Sequence, residues 1–284
     1  MLSIDEIIEE VNTNLEDITR SVVSKEVGKE TNSLIQQYKQ QFFIELDSPE
    51  QHQPNWHQWG IITHTKNFMK MYDNEVKQYL KAWNRLEAIE EHLSGQIDGI
   101  SKSKLIYLGI LLHDIGKFRK NYSKKLNGRV IYTFNKHEVY SQEIIQNDLY
   151  PLLHYHYGLT DKQIEYIAMC ARYHFELGFI REIGKKSKYG YSAACAKSQE
   201  FKDAVMNALP AFEKYKIEVG VLFLADSYAK TDIAFEERTD NEILEDLKHK
   251  NLNLKLMYAV KQKSVNLETV KSYFDVIMKG KKIK

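Results

Sequence analysis

The stretch Leu111-Leu112-His113-Asp114-Ile115-Gly116-Lys117 sets an imidazole and a carboxylate directly behind an apolar run. Both side chains are donors for a divalent metal ion. Leu105, Ile106, Leu108, Ile110, Leu111 and Leu112 precede them, which marks a helix destined for the core. Ionisable groups at the buried end of such a helix are costly unless they are paired or coordinated. Two donors do not complete a site, so partners must come from other elements. His64 lies in GIITHTKNFMKMY among Ile61, Ile62, Phe68 and Met69, and Asp226 follows VLFLA. A helix-interior ion pair with a lysine is the plain alternative for Asp226. His137 opens FNKHEVYSQEII and His174 nears the end of AMCARYHFELG. The bland alternatives are a helix N-terminal residue for His137 and a partly buried polar group for His174. Among the ten histidines, His154 and His156 in LLHYHYG read as ordinary packing.

A metal with an open coordination position lowers the pKa of bound water from ~15.7 to about 7, and Asp114 is placed to orient that water. If the attacked bond is a phosphoester, charge developing on its oxygens needs cations nearby. Lys117, one turn past the ligands, is the first candidate, and Arg172, two residues before His174, offers a planar fork suited to phosphate. Arg119, Lys120, Lys124, Lys125 and Arg129 read singly as a solvated face, though their clustering behind the motif widens a positive field. Phe118, Tyr173 and Phe175 read as core packing, with stacking on a base as the alternative role.

The elements that must position these groups are helices. Only four prolines and 13 glycines punctuate 284 residues, and strand-like alternation is rare. An all-α fold follows, with helical spacing over 61–81, 84–95, 102–114, 137–149, 161–177, 199–209 and 214–232. Asn127-Gly128, flanked by apolar and basic runs, predicts a tight hairpin. The stretch 178–198, with Gly178, Gly184 and Gly190, reads as irregular, either a lid or a surface loop. Residues 1–48 read as an N-terminal helical extension, a packing arm or a contact for a homo-oligomer. Ser3 and Glu6 form a capping-box pattern at its start. Residues 49–234 read as the core domain and 235–284 as a C-terminal helical extension. The net charge of +1 argues against a protein that coats long nucleic acid. Two cysteines are too few for a disulfide scaffold. No signal-peptide pattern or spanning apolar run stands out, so a cytoplasmic protein without a membrane partner is expected.

The order His64, then His113-Asp114, then Asp226, with Gly116 and Lys117 continuing the pair, resembles the HD-domain metal-dependent phosphohydrolase superfamily over roughly residues 57–232. The resemblance implies a helical bundle holding a divalent ion (Mn, Mg, Ni, Co, Zn or Fe) on His64, His113, Asp114 and Asp226. In two-metal members the aspartate of the pair bridges. By that analogy Asp114 bridges, and His137 and His174 hold a second metal or contact phosphate. Asp114 and Lys117 are then the catalytic residues, with Lys117 and Arg172 on the substrate. The implied substrate is a small phosphorylated molecule, a nucleotide or a relative of one. Runs such as HTKNFMKMY and ARYH are similar to the HD domains attached to bacterial tRNA nucleotidyltransferases, but residues 1–48 are too short for a nucleotidyltransferase domain. The same ligand order also occurs in HD-fold di-iron oxygenases, which is the alternative activity. A non-catalytic HD-fold signalling module is the third.

Overall fold

Helices follow one another with few breaks in the computed structural model, which describes residues 2–29, 36, 40, 46–119, 122–126, 129–185, 193–235 and 238–278. Helix α1 (Ile4–Thr13) starts on a capping box in which Ser3 and Glu6 satisfy each other's backbone, and α2 (Leu15–Lys29) follows. Their apolar stripe, including Ile7, Val11 and Leu15, is buried in the main core. Helix α3 (Ile61–Met71) continues through a π turn (Tyr72–Val76) into α4 (Lys77–Ala82). Asp47 replaces a side-chain cap at α3: its carboxylate accepts from the Thr63 amide at 2.9 Å, beside Gly60, where a Cβ would collide with the Asp47 backbone.

Helix α5 (Leu86–Leu93) and a two-residue hairpin, β1 (Gln96–Ile97) with β2 (Ile100–Ser101), lead into α6 (Lys102–Leu112). Leu105, Ile106, Leu108, Gly109, Ile110, Leu111 and Leu112 are all buried, because α1, α3 and a later helix enclose α6. The single turn α7 (Gly116–Arg119) precedes β3 (Tyr122–Leu126) and β4 (Arg129–Thr133). These strands pair antiparallel with Leu126 opposite Arg129, the register a two-residue turn at 127–128 requires. Asn127 and Gly128 themselves lie outside the described residues, as does Lys120.

Helix α8 (His137–Glu143) and two π turns (Ile144–Asp148 and Pro151–His156) follow. Helix α9 (Asp161–Tyr173), capped by Thr160 and Gln163, packs on both α6 and α8. It ends four residues earlier than its apolar spacing predicts. The segment 178–198 also departs from the irregular reading. Helix α10 (Glu176–Lys185) and the short α11 (Ala193–Lys197) occupy most of it, because Leu177 and Ile180 are buried in the core. Tertiary burial there outweighs the helix-weakening glycines. Residues 186–192 lie outside the described residues. Helices α12 (Gln199–Phe212), α13 (Lys216–Tyr228), α14 (Asp240–His249) and α15 (Met257–Ile277) complete the chain. Every residue of α13 from Ile217 to Tyr228 is buried, between α3 and α15 among others. Among the described residues, no helix is long and apolar enough to cross a membrane.

Candidate metal centre

Each candidate ligand stands at or near the end of a helix. His64 sits in the first turn of α3 and Asp226 in the last turn of α13. His113 directly follows α6, and Asp114 comes next in the turn to α7. His137 opens α8, and His174 directly follows α9. The glycine after the His-Asp pair has a steric reason. A Cβ on Gly116 would lie 2.0 Å from the His137 carbonyl oxygen and 2.5 Å from the Ser141 amide. Its absence lets α8 approach, and Ser141 locks the contact: its hydroxyl donates to the His113 carbonyl at 2.5 Å and accepts from the Gly116 amide at 2.9 Å.

All four histidines spend Nδ1 on a backbone carbonyl: His64 on Ala229 at 3.2 Å, His113 on Ile110 at 2.7 Å, His137 on Phe134 at 2.9 Å and His174 on Ala171 at 2.7 Å. A carbonyl only accepts, so Nδ1 carries the proton, and the neutral form of each ring presents Nε2 as a lone pair. Those four lone pairs converge on two carboxylates. Asp114 Oδ2 lies 3.1 Å from His113 Nε2 and 3.7 Å from His64 Nε2. Its other oxygen, Oδ1, lies 3.1 Å from His137 Nε2 and 3.9 Å from His174 Nε2. Asp226 Oδ1 closes the first group, 3.0 Å from His64 and 3.9 Å from His113. All but His137, which is partly exposed, are buried.

This donor set fits divalent metal. Lone pair facing carboxylate is repulsive unless a cation lies between. Two ligands on one ion, with bonds of ~2.1 Å, stand about 3.0–3.4 Å apart, close to the spacing here. The donor atoms of His64, His113 and Asp226 lie within 4.8 Å of one another, as do those of His113, Asp114 and His174. Buried His113 Nε2 and Asp114 Oδ1 have no hydrogen-bond partner among the described residues, which is the signature of atoms reserved for something else.

The charges agree. Burial alone would raise the Asp114 carboxyl, but His113 in its protonated form and the Lys117 ammonium outweigh it and hold it well below the usual carboxylate range. Burial likewise opposes ionisation of Asp226, and Lys230 at 3.2 Å together with His64 more than offsets it. The lysine pair expected as the plain alternative for Asp226 therefore exists beside the histidine contact, since the two oxygens serve different partners. Burial pushes His64 down, and it pushes His174 well down with help from His113 and His137, so both favour the neutral, ligating form.

A cleft of about 590 Å³ opens onto this centre. Lys117, His137, His174 and Asp226 reach its wall beside Lys136, Arg181, Lys230, Trp56, Phe175 and Phe179. Lys117 donates to Asp114 Oδ2 at 2.6 Å. Arg172 is turned elsewhere. Its guanidinium lies 3.9 Å from Glu138 and over the Tyr173 ring, and Arg172 is not among the residues lining the cleft. Phe118 is buried in the core, and Tyr173 donates to the Ala211 carbonyl, so of the three aromatics only Phe175 borders the cleft.

Sequence reasoning missed His52 and His57, both buried, and Lys230. The first two lie in QHQPNWHQWG, read only as a helix-breaking entry. Two histidines five residues apart in a segment with no apolar periodicity were the available signal.

A search of curated proteins finds no match to the chain. The family model described as HD domain matches residues 79–231, more than half of the 284 residues, and that span contains His113, Asp114, His137, His174 and Asp226 but not His64. With that match over the helices that carry the His-Asp pair, His137, His174 and Asp226, the chain belongs to the HD domain family, whose members bind divalent metals.

Proposed function

We propose that the chain is a metal-dependent phosphohydrolase, a phosphomonoesterase or phosphodiesterase acting on a nucleotide or a nucleotide-like ester. The observation that carries this is the division of Asp114: Oδ2 faces His64 and His113, while Oδ1 faces His137 and His174. Such a carboxylate suits a bridge between two ions, with His64, His113 and Asp226 on one and His137 and His174 on the other. Divalent ions bound there supply Lewis acidity and an activated water nucleophile.

The chain's own residues do the remaining work. Lys117, anchored on Asp114, presents fixed positive charge at the cleft wall, where phosphoryl oxygens gain charge in the transition state. Lys230, tied to Asp226 and 5.5 Å from the Phe175 ring centroid, adds a second cation. Arg172 acts at one remove, through Glu138, which lines the cleft. Trp56, Phe175 and Phe179 offer faces for a planar base. A net charge of +1 and a cleft of about 590 Å³ suit a small phosphorylated substrate better than long nucleic acid.

The test is turnover. The full chain, reconstituted separately with Mn, Co, Ni, Mg and Zn, is assayed on nucleoside monophosphates, cyclic nucleotides and bis(p-nitrophenyl) phosphate. Chelator-sensitive hydrolysis that Asp114→Ala abolishes is expected. Metal-loaded protein that cleaves none of them contradicts the proposal. Four imidazoles also suit iron, so a di-iron oxygenase is the second reading. Bound iron with a visible absorption band that bleaches on reduction would favour it.

A further inference from the structure

Lys117 has a second partner that metal binding does not require. Its ammonium lies 2.8 Å from His52 Nε2 as well as 2.6 Å from Asp114 Oδ2. His52 is fully buried, and its Nδ1 lies 3.0 Å from the Trp59 carbonyl oxygen. That oxygen only accepts, so Nδ1 carries the ring proton and Nε2 is an acceptor aimed at Lys117. Two positive charges at 2.8 Å out of water would be untenable.

The ring is itself braced. His57 stacks on it with centroids 3.7 Å apart and planes 15° apart, and His57 Nδ1 lies 2.8 Å from the His52 carbonyl oxygen. Phe134 closes the edge at 6.4 Å. All of Trp59, His52 and His57 lie outside the matched family span of 79–231, so this brace is supplied by a segment that the family model does not cover.

We infer that His52 is a positioning residue that fixes the direction of the Lys117 ammonium, so that Lys117 meets an oxyanion in the cleft while remaining paired with Asp114. A lysine carries its charge on a flexible four-carbon stem, and one acceptor leaves the ammonium free to swing. Two acceptors, one on a rigid ring and one at a helix end, fix where the ammonium stands on the cleft wall. The identity of that oxyanion as a phosphoryl group rests on the phosphohydrolase reading.

The test uses inorganic phosphate and manganese with the full chain. Phosphate affinity is measured by calorimetry on Mn-loaded wild type, His52→Leu, His52→Asn, His52→Gln and Lys117→Met, and on Lys117→Met combined with His52→Leu. Leucine fills the space with no acceptor, and asparagine is too short to reach Lys117. Glutamine brings an amide oxygen to about the place of Nε2. Loss of one hydrogen bond to a charged group predicts phosphate binding about 10- to 100-fold weaker in the Leu and Asn variants. The Gln variant should recover most of it. Lys117→Met should be equally weak, with no further loss when His52→Leu is added. Manganese content should not change in any of them. Wild-type affinity in both removal variants, losses that multiply with Lys117→Met, a fall in manganese content, or a wild type that binds no phosphate would each overturn the inference. The expected pattern in a protein that cleaves no ester would support it and overturn only the phosphohydrolase reading.

Discussion

Replacing Gly116 with alanine should split the metal centre. The added Cβ would lie 2.0 Å from the His137 carbonyl oxygen, 2.5 Å from the Ser141 amide nitrogen and 2.8 Å from its hydroxyl. Two of those atoms are backbone of α8, so no side-chain rotation relieves the clash. Carbon–oxygen contacts begin near 3.3 Å, so the start of α8 must retreat by about 1.3 Å. Metal–ligand bonds tolerate about 0.2 Å, so His137 moves out of reach of an ion shared with Asp114 Oδ1. His64, His113 and Asp226 are held by α3, α6 and α13 and stay in place. Overpacking of this kind destabilises by about 1–3 kcal/mol. The chain should therefore still fold, with a melting temperature lowered by roughly 2–10 °C. Manganese content after desalting should fall to about half, and phosphoester turnover by at least about 100-fold, the cost of misplacing a group by 1 Å. Gly28→Ala is the control: nothing lies within 4 Å of that Cβ, and it should stabilise α2 by up to about 1 kcal/mol. Gly116→Ala protein with unchanged manganese content and wild-type turnover would refute the steric reasoning.

Asp226→Asn keeps the shape of the side chain while removing its charge, leaving Lys230 without this carboxylate partner. Metal affinity should drop at least about 10-fold by titration calorimetry, and an unchanged affinity would remove Asp226 from the ligand set. Phe179→Ala should raise KM for a nucleoside monophosphate by about 5- to 100-fold, the worth of one stacked base, and leave KM for glycerol phosphate unaltered. Equal changes for both substrates would show that Phe179 does not contact a base. Glu218 lies outside the metal centre, hydrogen-bonded to His92 at 3.0 Å and Tyr166 at 3.0 Å, with Lys102 at 3.6 Å. Burial would raise its carboxyl, but His92 and Lys102 leave it below its ordinary value of 4.5. The stability it contributes is then fully present above pH 4.5 and lost as pH falls through the lower folded value. Wild-type melting temperature should fall more steeply than that of Glu218→Gln over that acid range, and parallel curves would assign Glu218 no such role.

Much of the metal centre was legible because its residues break local rules. An imidazole and a carboxylate behind Leu105–Leu112, or an aspartate behind VLFLA, have no apolar reason to be buried. His64, His113, Asp114, His137, His174 and Asp226 converge in the structure. The direction of Arg172 was not legible, because whether a long side chain turns to a cleft or to Glu138 depends on packing between α8 and α9. The helix α10 was hidden by Gly178 and Gly184, whose local preference yields to the burial of Leu177 and Ile180. His52 was hidden for the opposite reason. Its segment follows no period, and only the turn from His52 to Trp59 brings its ring onto Lys117. Gly116 could be read as part of a motif, but its cause, the approach of α8, exists only in three dimensions.

The central claim is that Asp114 joins two metal-binding groups. Elemental analysis of wild type and Asp114→Ala, each incubated with manganese and desalted, tests it most directly. About two ions per chain in wild type, as a two-metal centre requires, and fewer than about one in the variant are the predicted results. A wild type that retains no metal, or an Asp114→Ala protein that retains as much as wild type, would contradict it.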